Sequence, residues 1–202
     1  MGPDTVQYIL GHTRAKSVVS CRRNVDKLCE AKQSGECPTF EVAILVDGVT
    51  PDVERKANAA NLQLISLSKV EAVGAELIAS TGHHHSPPSS GDIATFSYTS
   101  GTTGTPKGAL LTHQNLISSV AGVRGMGEEQ AVDFRDRHLS YLPLAHIFER
   151  IVMAQILMLG ACASFFRGDP TLLIEDLQAC RPTVIPVAPR VLNKIYDKVS
   201  VD

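Results

Sequence analysis

Residues 93–112 read Ile93-Ala94-Thr95-Phe96-Ser97-Tyr98-Thr99-Ser100-Gly101-Thr102-Thr103-Gly104-Thr105-Pro106-Lys107-Gly108-Ala109-Leu110-Leu111-Thr112. The first six residues have the makings of a buried strand, and 109–112 of another. Between them, the ten residues 99–108 hold five serine or threonine hydroxyls, three glycines and one lysine. Glycines let a backbone approach a ligand closely and visit positive φ. Successive amides in such turns form an anion-binding concavity, and Lys107 adds a full positive charge. That mixture suits a polyphosphate. A Walker loop is excluded, because it needs Gly-Lys-Ser/Thr opening straight into a helix. Here Pro106 precedes the lysine, Gly108 follows it, and a strand comes next. A plain polar surface loop shares the composition but has no need of the order Pro106-Lys107-Gly108.

Working outward, helix-like and strand-like periodicity alternate along the chain. Helices are expected at 4–15, 25–33, 51–61, 68–80, 115–126, 147–159, 172–180 and 189–199. Strands are expected at 17–21, 42–46, 62–67, 93–98, 109–112, 138–142, 161–166 and 183–187. Pro51 opens its helix where a missing amide costs nothing, and Gly160 suits the end of another. Residues 125–136 are polar and read as a loop. Such alternation predicts an α/β fold, three-layer, with a largely parallel sheet flanked by helices. In that architecture ligands sit beyond the carboxyl ends of strands. The 99–108 segment follows one strand end and His146 another, so both are expected to line one crevice. Residues 81–92, TGHHHSPPSSGD, read as an internal loop or linker. Three adjacent histidines with no acidic or thiol partner nearby favour a surface loop over a metal site.

With 202 residues, 44% apolar and 20% charged, the chain can bury a sizeable core. A net charge of −2 with both signs scattered gives no nucleic-acid stripe and no basic amphipathic helix for a membrane surface. The five cysteines form no C-x-x-C pair and read as reduced thiols. The apolar stretch 151–166 is too short to span a bilayer and is interrupted by Gln155 and Gly160.

Three blocks carry a family resemblance. YTSGTTGTPKGALLTH at 98–113 resembles the phosphate-loop signature of the adenylate-forming, AMP-binding superfamily. YLPLAHIFER at 141–150 resembles the next motif in the form typical of long-chain fatty acid–CoA ligases. Arg181-Pro182-Thr183 and 189–197, PRVLNKIYD, are similar to the eukaryotic long-chain branch. The resemblance implies a two-step reaction. A long-chain fatty acid attacks ATP to give an acyl-adenylate and pyrophosphate, and coenzyme A then displaces AMP. By the same resemblance, Thr99, Ser100, Gly101, Thr102, Thr103, Gly104, Thr105, Pro106, Lys107 and Gly108 bind the nucleotide phosphates, Thr102 contributes an oxygen to Mg²⁺, and His146 serves catalysis at the acyl pocket. Glu149 and Arg150 are read as locally paired or solvent-facing, and His113 as structural. Two or three charge-assisted bonds of about 1.5–3 kcal/mol each would support only roughly millimolar binding by the segment alone.

The resemblance further implies a fragment. The expected glutamate-bearing Mg²⁺ motif, ribose aspartate, hinge arginine and C-terminal catalytic-lysine domain would follow Asp202, and the start at Gly2-Pro3-Asp4 resembles an internal segment. Residues 1–202 are thus expected to be a partial adenylation domain, inactive alone. The full-length enzyme is expected on the cytoplasmic side of intracellular membranes, endoplasmic reticulum or peroxisome, by peripheral association. The competing reading is a non-catalytic nucleotide-binding or interaction protein derived from such an enzyme.

Overall fold

The computed structural model describes residues 5–82, 85–99, 106–124, 132–187, 189, 191–193 and 196. The chain divides into two compact units, 1–87 and 88–202, with the boundary inside the 81–92 segment.

The first unit runs α1 (Thr5–Thr13), β1 (Ser17–Ser20), a 3₁₀ turn (Arg22–Asn24), α2 (Val25–Gln33), β2 (Val42–Leu45), α3 (Pro51–Ala59), β3 (Gln63–Ser66) and α4 (Leu67–Thr81). The three strands form a parallel sheet in the order β1-β2-β3, with Val18 opposite Ala43 and Ala43 opposite Leu64. Parallel neighbours need crossover segments, and α2 and α3 supply them. β2 is the central strand, and its Ala43 and Leu45 are fully buried. Leu10, Val25, Leu28, Phe40 and Leu62 complete a core with small residues between them. Gly11 permits the close approach of α1 to the 36–37 backbone, since a Cβ there would stand 2.6 Å from the Glu36 carbonyl oxygen. Cys29 and Cys37 lie in this core, and burial pushes both thiols above their ordinary range. All five cysteines are free.

Helix ends follow local chemistry. Pro51 occupies the first turn of α3, Ser66 Oγ accepts the Lys69 amide at the start of α4, and Gly82 closes α4 in the left-handed region. The expected helix at 4–15 stops at Thr13 because Arg14 turns left-handed, φ 52°, and the Ala15 amide donates back to Leu10 O. Asn61, φ 53°, follows α3 in the same conformation.

The second unit contains β4 (Ile93–Thr99), β5 (Lys107–Thr112), α5 (His113–Arg124), β6 (Arg137–Ser140), α6 (Ile147–Met158), β7 (Cys162–Phe165) and α7 (Leu173–Cys180). β4 and β5 pair antiparallel, β6 and β7 parallel. Strands thus distribute over three sheets, with parallel pairing flanked by helices everywhere but the β4–β5 pair. α5 begins at His113, two residues before the expected start. Thr112 Oγ1 accepts the Asn115 amide at 3.1 Å, and Asn115 Oδ1 accepts the Thr112 amide at 3.0 Å, a reciprocal capping box. The next amides, of His113 and Gln114, donate to the carbonyls of Asp92 and Ser90. Gly160, φ 68°, ends α6 as expected.

One expected strand is corrected. Residues 183–187 make only a single parallel bridge, Val184 to His138. Pro182 and Pro186 remove amide donors on either side, which no interior strand tolerates. β6 likewise stops at Ser140, and Tyr141 instead sends its hydroxyl to Pro186 O at 3.0 Å. Of the expected helix 189–199, residues 189, 191–193 and 196 are helical, and the rest lie outside the described residues. So do residues 125–131 of the expected 125–136 loop, while 132–136 are neither helix nor strand.

Candidate functional site

The polyphosphate hypothesis rests on what brackets the Ser/Thr/Gly segment. β4 ends at Thr99 and β5 begins at Lys107, and these two residues are register partners. The segment is therefore bracketed by two strands, and no helix follows the lysine. Thr99 and Lys107 are both exposed. Among the described residues no carboxylate pairs with Lys107, so its ammonium is available to an anion. Ser100, Gly101, Thr102, Thr103, Gly104 and Thr105 lie outside the described residues, as do His83 and His84 of the histidine run.

Gly108 has a role beyond the one expected. It is the register partner of Tyr98, and a Cβ at 108 would meet the Tyr98 ring at 3.1–3.4 Å. The ring therefore lies against the glycine backbone. This aromatic–glycine pair pins the register at the base of the segment, where a slip would move every side chain to the other face. Gly108→Ala is expected to cost about 1 kcal/mol, overpacking outweighing the ~0.5–1 kcal/mol that alanine gains over glycine in a strand. In a Tyr98→Ala background the sign reverses and Gly108→Ala stabilises. Urea unfolding of the four proteins reads this directly, and the same sign in both backgrounds removes the ring–glycine contact from the account.

His146 sits at the N-cap of α6 with extended backbone, φ −81° and ψ 122°. Its amide donates to Pro143 O at 2.8 Å, but its side chain makes no capping bond and is exposed. Among the described residues its side chain therefore caps no helix amide. His113 heads α5, where its amide donates to Asp92 O at 3.1 Å.

Glu149 corrects the sequence reading, while Arg150 keeps to it. Glu149 does not pair with Arg150 or face water. It is fully buried, and its Oε1 lies 3.0 Å from Nε2 of an equally buried His138 on β6. The His138 Nδ1 faces Val184 O at 3.4 Å. A carbonyl only accepts, so this contact suits the tautomer with an Nδ1–H. Among the described residues Glu149 Oε2 has no hydrogen-bond partner. Arg150 turns the other way and donates from Nε and Nη2 to Leu144 O at 3.1 and 3.0 Å. A signal for Glu149 existed in the sequence. It lies on one helical stripe with the buried Met153 and Ile156, spaced i, i+4, i+7.

With this geometry in place, comparison with known proteins decides the family. The profile of the AMP-binding enzyme family matches residues 1–202. The chain belongs to the AMP-binding enzyme family. Long-chain-fatty-acid–CoA ligase 6 of Rattus norvegicus is 36% identical over 208 residues, covering 98% of this chain and 28% of its own length. The peroxisomal long chain acyl-CoA synthetase 6 of Arabidopsis thaliana is 35% identical, covering 97% of this chain and 27% of its own length. The chain thus spans under a third of the length of these relatives. Among solved structures, the adenylation domain of a carboxylate reductase from Mycobacterium chelonae superposes with a TM-score of 0.78 at 20% identity, covering 98% of this chain and 31% of that one. The A-PCP didomain of the carboxylic acid reductase of Segniliparus rugosus, solved with AMP, gives 0.76 at 21% identity, with 100% and 29% coverage. These likenesses show that this AMP-binding family chain has the adenylation-domain fold over its described parts.

No group of three His, Cys, Asp or Glu among the described residues could hold a metal ion. The described part of this AMP-binding enzyme chain therefore supplies no cage for Mg²⁺, and the expected ligand Thr102 lies outside it.

Proposed function

We propose that this chain is the phosphate-gripping portion of an AMP-forming long-chain fatty acid–CoA ligase, a partial adenylation domain over residues 1–202. The observation that carries the reading is the Thr99–Lys107 register pair, which sets an exposed ammonium, with no carboxylate partner among the described residues, beside a threonine at the two ends of the glycine–threonine segment. The long-chain ligases among the relatives support the acyl class. Lys107 offsets charge on the β and γ phosphates as the fatty carboxylate attacks the α-phosphate and pyrophosphate departs. Thr99, Ser100, Gly101, Thr102, Thr103, Gly104, Thr105, Pro106 and Gly108 line the phosphates. Thr102 would offer a hydroxyl oxygen to Mg²⁺, and the metal would supply further offset of the phosphate charge there. His146 borders the acyl carboxylate in the same crevice. Coenzyme A then takes the acyl group.

Peripheral attachment to the cytosolic face of the endoplasmic reticulum or peroxisome belongs to the same reading. No helix among the described residues is long and apolar enough to cross a membrane.

Titration calorimetry with ATP tests the phosphate assignment. The 202-residue chain is expected to bind ATP near the millimolar range. Lys107→Ala is expected to weaken binding by about 10–100-fold, the equivalent of one charge-assisted bond. Unchanged affinity overturns the assignment. Palmitate-dependent pyrophosphate release by the isolated chain is expected to be nil, and turnover would show that the portion suffices by itself.

A further inference from the structure

Arg150 occupies an electrostatically poor position. It stands in the opening turns of α6, where aligned peptide dipoles leave positive charge, and a cation there costs about 0.3–1 kcal/mol. Nothing about helix stability recommends arginine at that position. Its side chain instead reaches back toward the N-terminus, the direction in which helical Cα–Cβ bonds tilt. There Nε and Nη2 both donate to the single carbonyl of Leu144. That carbonyl lies in the turn Pro143-Leu144-Ala145-His146, whose members are all exposed. Leu144 is 52% accessible, so hydrophobic packing does not hold the turn. Hydrogen bonds do: the His146 amide to Pro143 O, the Arg150 amide to His146 O at 3.2 Å, and the guanidinium fork on Leu144 O.

We propose that Arg150 is a positioning residue: its guanidinium clamps the Leu144 carbonyl and so fixes the direction in which His146 leaves the cap of α6. The proposal rests on the reading of His146 as bordering the activated carboxylate. Both guanidinium bonds go to Leu144 O, within the protein itself. The planar fork is what the task requires, because two N–H groups in one plane hold a carbonyl in distance and direction. A lysine ammonium is a point charge on a flexible stem and cannot do so.

Two measurements on the 202-residue chain test this, each with Arg150→Ala and Arg150→Lys. The first is amide hydrogen exchange. The His146 amide is expected to exchange at least about tenfold faster in both variants, while Ile156, two turns into α6, keeps its protection. The second is paramagnetic broadening of the His146 ring signals by Mn²⁺·ATP. It is expected in the original chain and lost in both variants, with the ATP dissociation constant within about twofold. A helix merely weakened by the substitution would lose protection at Ile156 as well. Unchanged His146 exchange and broadening in Arg150→Ala overturn the proposal. So does full rescue by lysine, which would make charge alone sufficient. So does a tenfold or greater loss of ATP affinity, which would place Arg150 on the nucleotide. If the original chain fails to bind Mn²⁺·ATP, the proposed function falls, and the exchange measurement still decides whether Arg150 holds His146.

Discussion

Replacing His138 with alanine is expected to lower the unfolding free energy by about 3–5 kcal/mol, the scale for breaking a buried pair from one side. His138 and Glu149 are both fully buried and meet at 3.0 Å across the β6–α6 boundary. Among the described residues Glu149 Oε2 has no donor, so removal of the imidazole strips Oε1 as well and leaves a buried carboxyl short of hydrogen bonds. Alanine also vacates the ring's volume at a fully buried position. Two controls separate these contributions. Glu149→Gln keeps an oxygen and adds two N–H donors, one of which can bond Nε2, and is expected to cost only about 1 kcal/mol. Joint replacement of His138 and Glu149 by leucine removes every buried polar atom of the pair and is expected to cost far less than His138→Ala, since well-packed apolar replacements of such pairs are often neutral. Urea unfolding of His138→Leu, Glu149→Leu and the double leucine variant closes a double-mutant cycle. A His138→Ala penalty below about 1 kcal/mol would mean that the pair does not anchor α6 to β6.

That pair also shows where sequence reasoning stops. The strand–segment–strand reading around Lys107 was legible because apolar strand-forming runs flank a glycine–threonine segment with no helix signal after the lysine. Pro51 and Gly160 mark helix ends through intrinsic backbone preference, and the structure uses both as expected. Arg14 and Arg181 also end helices in the left-handed region, which arginine does not advertise, whereas Asn61 is of a type that tolerates it. The 183–187 run reads as a strand from its apolar residues, but Pro186 within it and Pro182 just before it interrupt the ladder. Glu149 was misread because charge was weighed above position on the helix. Its i, i+4, i+7 stripe with Met153 and Ile156 points inward, but only the fold supplies His138 to receive it. His146 was legible as a helix opener from its place after Pro143. What holds it could not be read, because a carbonyl six residues away from Arg150 has no signature in residue type.

In the first unit the largest loss is expected from Phe40→Ala, again about 3–5 kcal/mol. Phe40 is fully buried and is the largest side chain of the core cluster. The penalty has a transfer part and a cavity part, and the cavity part depends on how far the surroundings can close in. Two features keep this site open. Four alanines and two cysteines share the cluster, and short side chains cannot swing into a phenyl-sized hole. The backbone is also tied on both sides: the Phe40 amide donates to Cys37 O at 3.1 Å, and Lys32 Nζ donates to Phe40 O. Phe40→Leu, which refills most of the volume, is expected to cost about 1–1.5 kcal/mol. The difference between the two variants isolates the cavity, and it predicts a second behaviour. An apolar cavity that stays dry binds a small apolar solute, and anything that binds only the folded form stabilises it by mass action. Benzene should therefore raise the unfolding temperature of Phe40→Ala and leave the original chain and Phe40→Leu unmoved. If Phe40→Ala loses under about 1.5 kcal/mol and does not respond to benzene, the unit closes over the vacancy and its core is softer than the burial of Phe40, Ala43 and Leu45 implies.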